Sequence, residues 1–300
     1  MPGTLSRRLG SVACWCVITV SAVPLAAQYG ATNGEWRSYG GDNGGTKYSP
    51  LDQIDASNFA ELRIAWRWDS ADAALDLEAL REQRRGVSIR GLQATPLMVD
   101  GVLYLSTAMY QVAAIDAGTG ETLWVHDPEV YRGGEPTHGY GSRGVAYWTD
   151  GDDERIFWGT SEGYLHAVNA RTGDPVPDFG DNGRVDLTEG IPRATRGESN
   201  YQGRNLLGVK SPPVVIRDVV VTPTIISDFV VRKEAPPGWL KGIDVRTGDT
   251  RWIFRTVPEG DDFGADTWLN ESWRYSGNVN VWPPMSADDE TGYVFLPTGT

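Results

Sequence analysis

Few residues of this sequence announce a chemistry by type and spacing alone. His126, His138 and His166 are scattered, with no pair at the interval that ligates a metal from one helix face. No glycine-rich phosphate loop ending in Gly-Lys occurs. The acidic run Asp150 to Glu154 lacks the ligand spacing of a calcium loop and reads as a solvated turn. Tryptophan stands out instead, at twelve residues against seven phenylalanines. Trp66, Trp68, Trp124 and Trp252 are expected to pack between repeated units, where a large flat side chain buries much area.

The elements that would position any site are short strands. Of 300 residues, 36 are Gly and 18 Pro, a richness that suits many tight turns rather than helices. One pattern recurs: an apolar residue, Asp or Asn, two variable residues, then Thr-Gly. It stands at Ile115-Asp116 to Gly120, Val168-Asn169 to Gly173 and Ile243-Asp244 to Gly248. Each copy reads as a hairpin in which a strand ends at the Asx residue and Gly supplies a positive φ. Further strand pairs precede each hairpin, at 95–106, 145–160 and 211–222. Four short strands per unit, repeated in tandem, predict an all-β chain: a β-propeller of four-stranded blades. Two stretches stand outside this pattern. Residues 71–85 read as the one helix, and residues 178–205, rich in Gly, Asn, Arg and Thr, as a long surface loop.

The amino terminus predicts export. Arg7 and Arg8 precede an apolar run from Val12 to Val23 that is too short to span a bilayer, followed by small residues to Gln28. Residues 1–28 are therefore expected to be a signal peptide, leaving 29–300 as propeller in the periplasm with no transmembrane anchor. Cys14 and Cys16 would leave with the signal, so the mature chain would hold no disulfide. The net charge of −13 argues against nucleic acid and anionic membranes as partners. The strand Gly292 to Thr300 ends without a closing hairpin, so the sequence is expected to be about half of a longer protein.

Four segments, in order, resemble the pyrroloquinoline quinone (PQQ)-dependent dehydrogenases. They are Trp36-Arg-Ser-Tyr-Gly-Gly-Asp42 with Tyr48-Ser-Pro-Leu51, the repeats ending in Trp124 and Trp252, Ser142-Arg-Gly-Val-Ala-Tyr-Trp148, and Asn278-Val-Asn-Val-Trp-Pro-Pro-Met-Ser286. The resemblance implies an eight-bladed propeller, cut short here, with PQQ on its axis and calcium or another divalent cation beside it. It implies tryptophan-docking repeats that lock each blade to the next. By the same resemblance, Arg143 pairs with a PQQ carboxylate, Trp282 stacks on the quinone, and Gln93 and Thr160 add polar contacts. A planar guanidinium suits a carboxylate. Asp228 resembles the carboxylate that ligates the metal, a hard oxygen of the kind calcium takes.

Two departures narrow the branch. Thr137-His138 stands where the alcohol-oxidising enzymes carry adjacent cysteines, and Thr300 stands where they carry a calcium-binding Asn. Both point to the branch resembling membrane-type glucose and quinate dehydrogenases. The family's catalytic Asp would lie beyond Thr300. The implied activity is oxidation of a sugar, polyol or alcohol to the carbonyl, with a quinone or cytochrome as electron acceptor. The competing class is a non-catalytic propeller of the outer-membrane assembly lipoprotein type. Such a scaffold would need the docking tryptophans but not Arg143, Gln93 and Trp282 together.

Overall fold

The computed structural model describes residues 30–83, 91–228 and 233–299. The predicted signal peptide, Cys14, Cys16 and Thr300 lie outside these. Among the described residues, three four-stranded antiparallel sheets follow one another along the chain, with two two-stranded pairs besides. The first is β1 (Leu97–Val99), β2 (Val102–Ser106), β3 (Val112–Asp116) and β4 (Thr122–His126), in sequential order. The second is β5 (Ala146–Thr149), β6 (Glu154–Gly159), β7 (Tyr164–Asn169) and β8 (Arg184–Asp186). After the short β9 (Leu207–Gly208) comes the third: β10 (Val214–Ile216), β11 (Val219–Thr222), β13 (Leu240–Asp244) and β14 (Thr250–Phe254). Within it, β12 (Ile225–Ile226) pairs back to β9. The pair β15 (Ser286–Asp288) and β16 (Tyr293–Phe295) opens a fourth unit. These sheets are propeller blades.

Apolar faces stack the blades in series. Leu97, Tyr104 and Val112 of the first pack on Ile156, Trp158 and Val168 of the second. Phe157 and Leu165 pack on Val220 and Ile243 of the third. Val214 and Leu240 pack on Val281 and Ala287 at the fourth. Each such valine, leucine, isoleucine or phenylalanine, fully buried, contributes about 1.5–3 kcal/mol.

The predicted Thr-Gly hairpins each begin where the third strand of a blade ends. In each, the Asx side chain accepts backbone N–H bonds, as Asp116 does from Gly118 and Thr119 and Asp244 from Arg246 and Thr247. A turn the sequence reading does not count has the same design. Asp288 accepts from Glu290 and Thr291, and Gly292 has φ 81°, but this turn joins the first two strands of its unit.

Two of the four tryptophans dock on these turns as expected, whereas Trp68 donates to Thr122 Oγ1 at 2.9 Å and Trp252 lies 39% exposed over Gly242 of its own sheet. Trp124 on β4 donates its indole N–H to the Ala170 carbonyl at 3.0 Å, and a Cβ at Gly173 would come within 2.6 Å of the ring. Trp66 repeats both contacts on the first blade, with Ala117 at 3.0 Å and Gly120 at 2.6 Å. Residues 62–69 thus stand where the fourth strand of a preceding blade would stand.

Two expectations are corrected. Residues 178–205 are not simply surface loop: they contain β8 and bury Phe179, Leu187, Ile191 and Ala194. Pro175 comes after the second turn where the other copies have an ordinary strand residue, and proline cannot donate to a ladder. The fourth strand therefore forms nine residues later, after a detour. That detour fills the third blade's docking notch, where Gly180 N–H reaches the Thr247 carbonyl at 2.9 Å. Likewise 71–85 is not one helix. A 3-10 turn, Ala71–Ala74, breaks at Leu75 before α1 (Leu77–Gln83), and residues 84–85 lie outside the described residues. Asp72 anchors that turn to the first blade: its buried carboxylate accepts from Thr107 Oγ1, Met109 N and Gln111 Nε2 at 2.6–3.1 Å. No helix among the described residues is long and apolar enough to cross a membrane.

Candidate cofactor site

The residues just before the innermost strands β1, β5, β10 and β15 meet one another. The Thr95 N–H donates to the Arg143 carbonyl at 3.2 Å, and the Arg143 N–H to the Lys210 carbonyl at 2.9 Å. The Arg143 guanidinium closes the set: Nη1 donates to Ser211 Oγ and to the Trp282 carbonyl, both at 3.2 Å. The Ser211 hydroxyl donates to that same carbonyl. Arg143 also lies 5.3 Å from the centroid of the Trp282 ring. One cation, one hydroxyl and one indole are thereby clamped together by three blades.

Trp282 is 46% exposed and rests over Gly299, where a Cβ would come within 2.8 Å of its indole nitrogen. Only the absence of a side chain lets the ring lie there. Thr160 sits in the β6–β7 turn, fully buried, and its carbonyl accepts from Val209, next to Lys210. Its Oγ1 has no hydrogen-bond partner among the described residues. A buried hydroxyl left unpaired costs about 1–3 kcal/mol, so it calls for a partner. Nearby, burial pushes the Tyr110 phenol well above its ordinary pKa, with the Ser161 hydroxyl pulling the other way.

Of the expected residues, Arg143 and Trp282 touch, and Thr160 joins them through the 209–211 backbone. Gln93 is exposed, two residues before the ring member Thr95, and shares with the ring only its position. Asp228 stands at the rim: its side chain is 70% exposed, with Oδ2 3.6 Å from His138 Nε2, which also contacts the Ile226 carbonyl at 3.1 Å. No group of three or more His, Cys, Asp or Glu side chains that could hold a metal occurs among the described residues. Calcium takes six to eight oxygens, so Asp228 alone does not make its site.

The sequence reading passes over Ser211 and Lys210. Their signal is position: Ser211-Pro212 precedes β10 as Thr95-Pro96 precedes β1. Two segments also mimic enzyme motifs. Gly159-Thr160-Ser161-Glu162-Gly163 has the spacing of a hydrolase nucleophile, but it is a strand-to-strand turn and Ser161 is 2% exposed. Gly139-Tyr140-Gly141-Ser142-Arg143-Gly144 has dinucleotide-binding spacing, but it leads into β5 and opens no helix.

A planar cation beside an aromatic face and an unpaired buried hydroxyl fit a flat polycarboxylate, which is what PQQ is. The comparisons with known proteins agree. The chain is 30% identical to quinoprotein glucose dehydrogenase A of Acinetobacter calcoaceticus, over 94% of this chain and 34% of that protein. It is 31% identical to the glycerol dehydrogenase large subunit of Gluconobacter thailandicus, over 94% of this chain and 37% of that one. The crystal structure of quinohemoprotein alcohol dehydrogenase from Comamonas testosteroni superposes with a TM-score of 0.65 at 26% identity, covering 88% of this chain and 35% of that chain. The chain thus spans about a third of the length of the relatives it matches, less than the half expected. Residues 36–300 match the family described as "PQQ: Glucose/ethanol/alcohol dehydrogenase, beta-propeller domain", and the chain belongs to that family.

Proposed function

We propose that this chain forms part of a periplasmic PQQ-dependent dehydrogenase, exported by residues 1–28, that oxidises a sugar or cyclic polyol to the carbonyl. Electrons would pass to a quinone or cytochrome acceptor. The observation that carries the reading is the Arg143 guanidinium held between Ser211 and Trp282. When bound, PQQ supplies the quinone that takes two electrons from the carbinol. Arg143 would bind a carboxylate of the cofactor, Trp282 would offer its ring as a platform, and Thr160 Oγ1 would offer its hydroxyl to a polar atom. Gln93, on the approach to β1, adds a contact from its exposed amide. Asp228 contributes one oxygen to a divalent cation. The base for the hydroxyl proton is assigned to no residue of this chain.

The test uses the whole polypeptide that carries this segment. Arg143→Ala should weaken PQQ binding ten- to a hundredfold, because a charge-assisted bidentate contact contributes about 1.5–3 kcal/mol. Equilibrium titration with PQQ reads this, and the melting temperature of the apo-protein, which loses only the part-exposed Arg143 bonds to Ser211 and Trp282, should fall by no more than a few degrees. Undiminished affinity overturns the assignment. A dye-linked screen of sugars, polyols and methanol then tests the substrate class, and methanol as best substrate overturns that part.

A further inference from the structure

Residues 36–47 do not belong to a blade, yet they touch the innermost strand of all four. The Trp36 and Met98 backbones exchange two hydrogen bonds at 2.8 and 2.9 Å, adding Trp36 to the inner edge of β1. The Arg37 guanidinium lies 5.5 Å from the ring centroid of Tyr147 on β5. Asn43 Nδ2 donates to the Val215 carbonyl of β10 at 3.0 Å, and the Asn43 carbonyl accepts from Ala287 N of β15 at 2.7 Å. A single segment that reaches four inner strands in turn must run along the side of the blades that faces the axis. It is also built to hold its shape there: Asp42 accepts from Thr46 N and Oγ1 at 3.0 and 2.9 Å, and Lys47 N donates to the Gly40 carbonyl at 2.8 Å.

The level of this run matters. Met98, Tyr147, Val215 and Ala287 lie three to five residues further along their strands than Thr95, Arg143, Ser211 and Trp282. At about 3.3 Å per residue, the segment lies roughly 10–16 Å from the Arg143 ring. Between the two levels is a cavity of about 370 Å³, walled by Val145, Pro212, Pro213 and Pro284 and floored by residues of the segment.

We infer that residues 36–47 are an axial plug, which closes the propeller channel on the side of the cofactor chamber opposite its mouth, with Asn43 as the latch. The inference rests on the cofactor reading above. It assigns the chamber a single entrance, so that solvent and substrate reach it from the Arg143 side. A floor of this kind keeps water from the far side of the site, where low dielectric strengthens the contacts made by Arg143.

The experiment uses full-length protein carrying Pro284→Cys, which places a thiol at a half-buried position on the cavity wall. With PQQ bound, the mouth is occupied, so alkylation by iodoacetamide reports access from the far side; peptide mass mapping reads the labelled position. The plug predicts slow labelling of the holo-protein and at least a tenfold faster rate when Asn43→Ala is added. Equal rates in the two proteins overturn it. Hydrogen exchange of the unsubstituted holo-protein gives a second reading, in which the amides of Trp36, Gly45 and Lys47 should be protected. Fast exchange there overturns the plug whatever the variants do. Failure of PQQ to bind at all would show in its absorbance and would refute the cofactor reading instead.

Discussion

His166 on β7 is buried and stacked on Trp158 at 5.0 Å between ring centroids. Burial holds it neutral and pushes its pKa down to about 3, with the charges of His126 and Arg184 acting the same way. The unfolded chain binds the proton near the ordinary value of 6.5, so the stability due to a neutral His166 is complete above that pH. It is lost as pH falls from about 6.5 towards 3, at up to about 1.4 kcal/mol per unit. His166→Leu should therefore flatten the dependence of stability on pH between 6.5 and 4, as read by urea unfolding. An unchanged slope would assign the acid sensitivity elsewhere. Residues of the candidate ring around Arg143 differ in how legible they are. Arg143 and Trp282 stand in long distinctive segments and can be found by resemblance. Ser211 cannot, because a serine before two prolines signals a turn, and its role comes only from the convergence of three blades.

The docking repeat is the element that sequence reveals best, since a turn's hydrogen bonds are local and leave a local signature. Asp116, Asn169 and Asp244 each direct their side chains to the next few amides, so the motif survives without any tertiary information. What the motif does not reveal is which strands it joins. The Asp288–Gly292 turn has the same bonds in a different place. Pro175 displaces the second blade's outer strand by a detour that only packing explains. Trp124→Ala tests the docking itself. The side chain is half-buried, so about 3 kcal/mol should be lost, at the lower end of the range for Trp deletions. In the full-length protein the melting temperature should fall, while PQQ affinity changes less than twofold. A drop in affinity to match Arg143→Ala would mean that the site and the blade interface are not separable. Gly173→Ala should destabilise by a related route, because the turn needs φ near 77° and the ring leaves no room for a methyl.

At the scale of the molecule, the described blades end on two open faces. One carries Trp252, Phe254 and Phe295, at 39%, 49% and 56% exposure, and the other Phe59, Leu62 and Ile64 along the strand-like segment that holds Trp66. The repeat motif makes this open stack foreseeable, but the substrate is not foreseeable in the same way. Access to a chamber is shaped by loops from every blade around it, and four blades carry only their own. The open faces do support a prediction for residues 30–300 prepared by themselves. Unpaired strands flanked by exposed aromatic side chains associate edge to edge. The net negative charge opposes this, but at physiological ionic strength the Debye length is about 8 Å and repulsion between whole faces is largely screened. Hydrophobic contact then prevails, so the isolated segment should self-associate, and more strongly as salt is raised from 20 to 300 mM. Association through ion pairs would show the opposite salt dependence. Light scattering at a series of salt concentrations distinguishes the two. Trp252→Glu with Phe254→Glu should shift the material towards monomer by removing apolar area from one face and adding charge to it. A monodisperse monomer at all salt concentrations would mean that the two faces are covered by rearrangement within the chain.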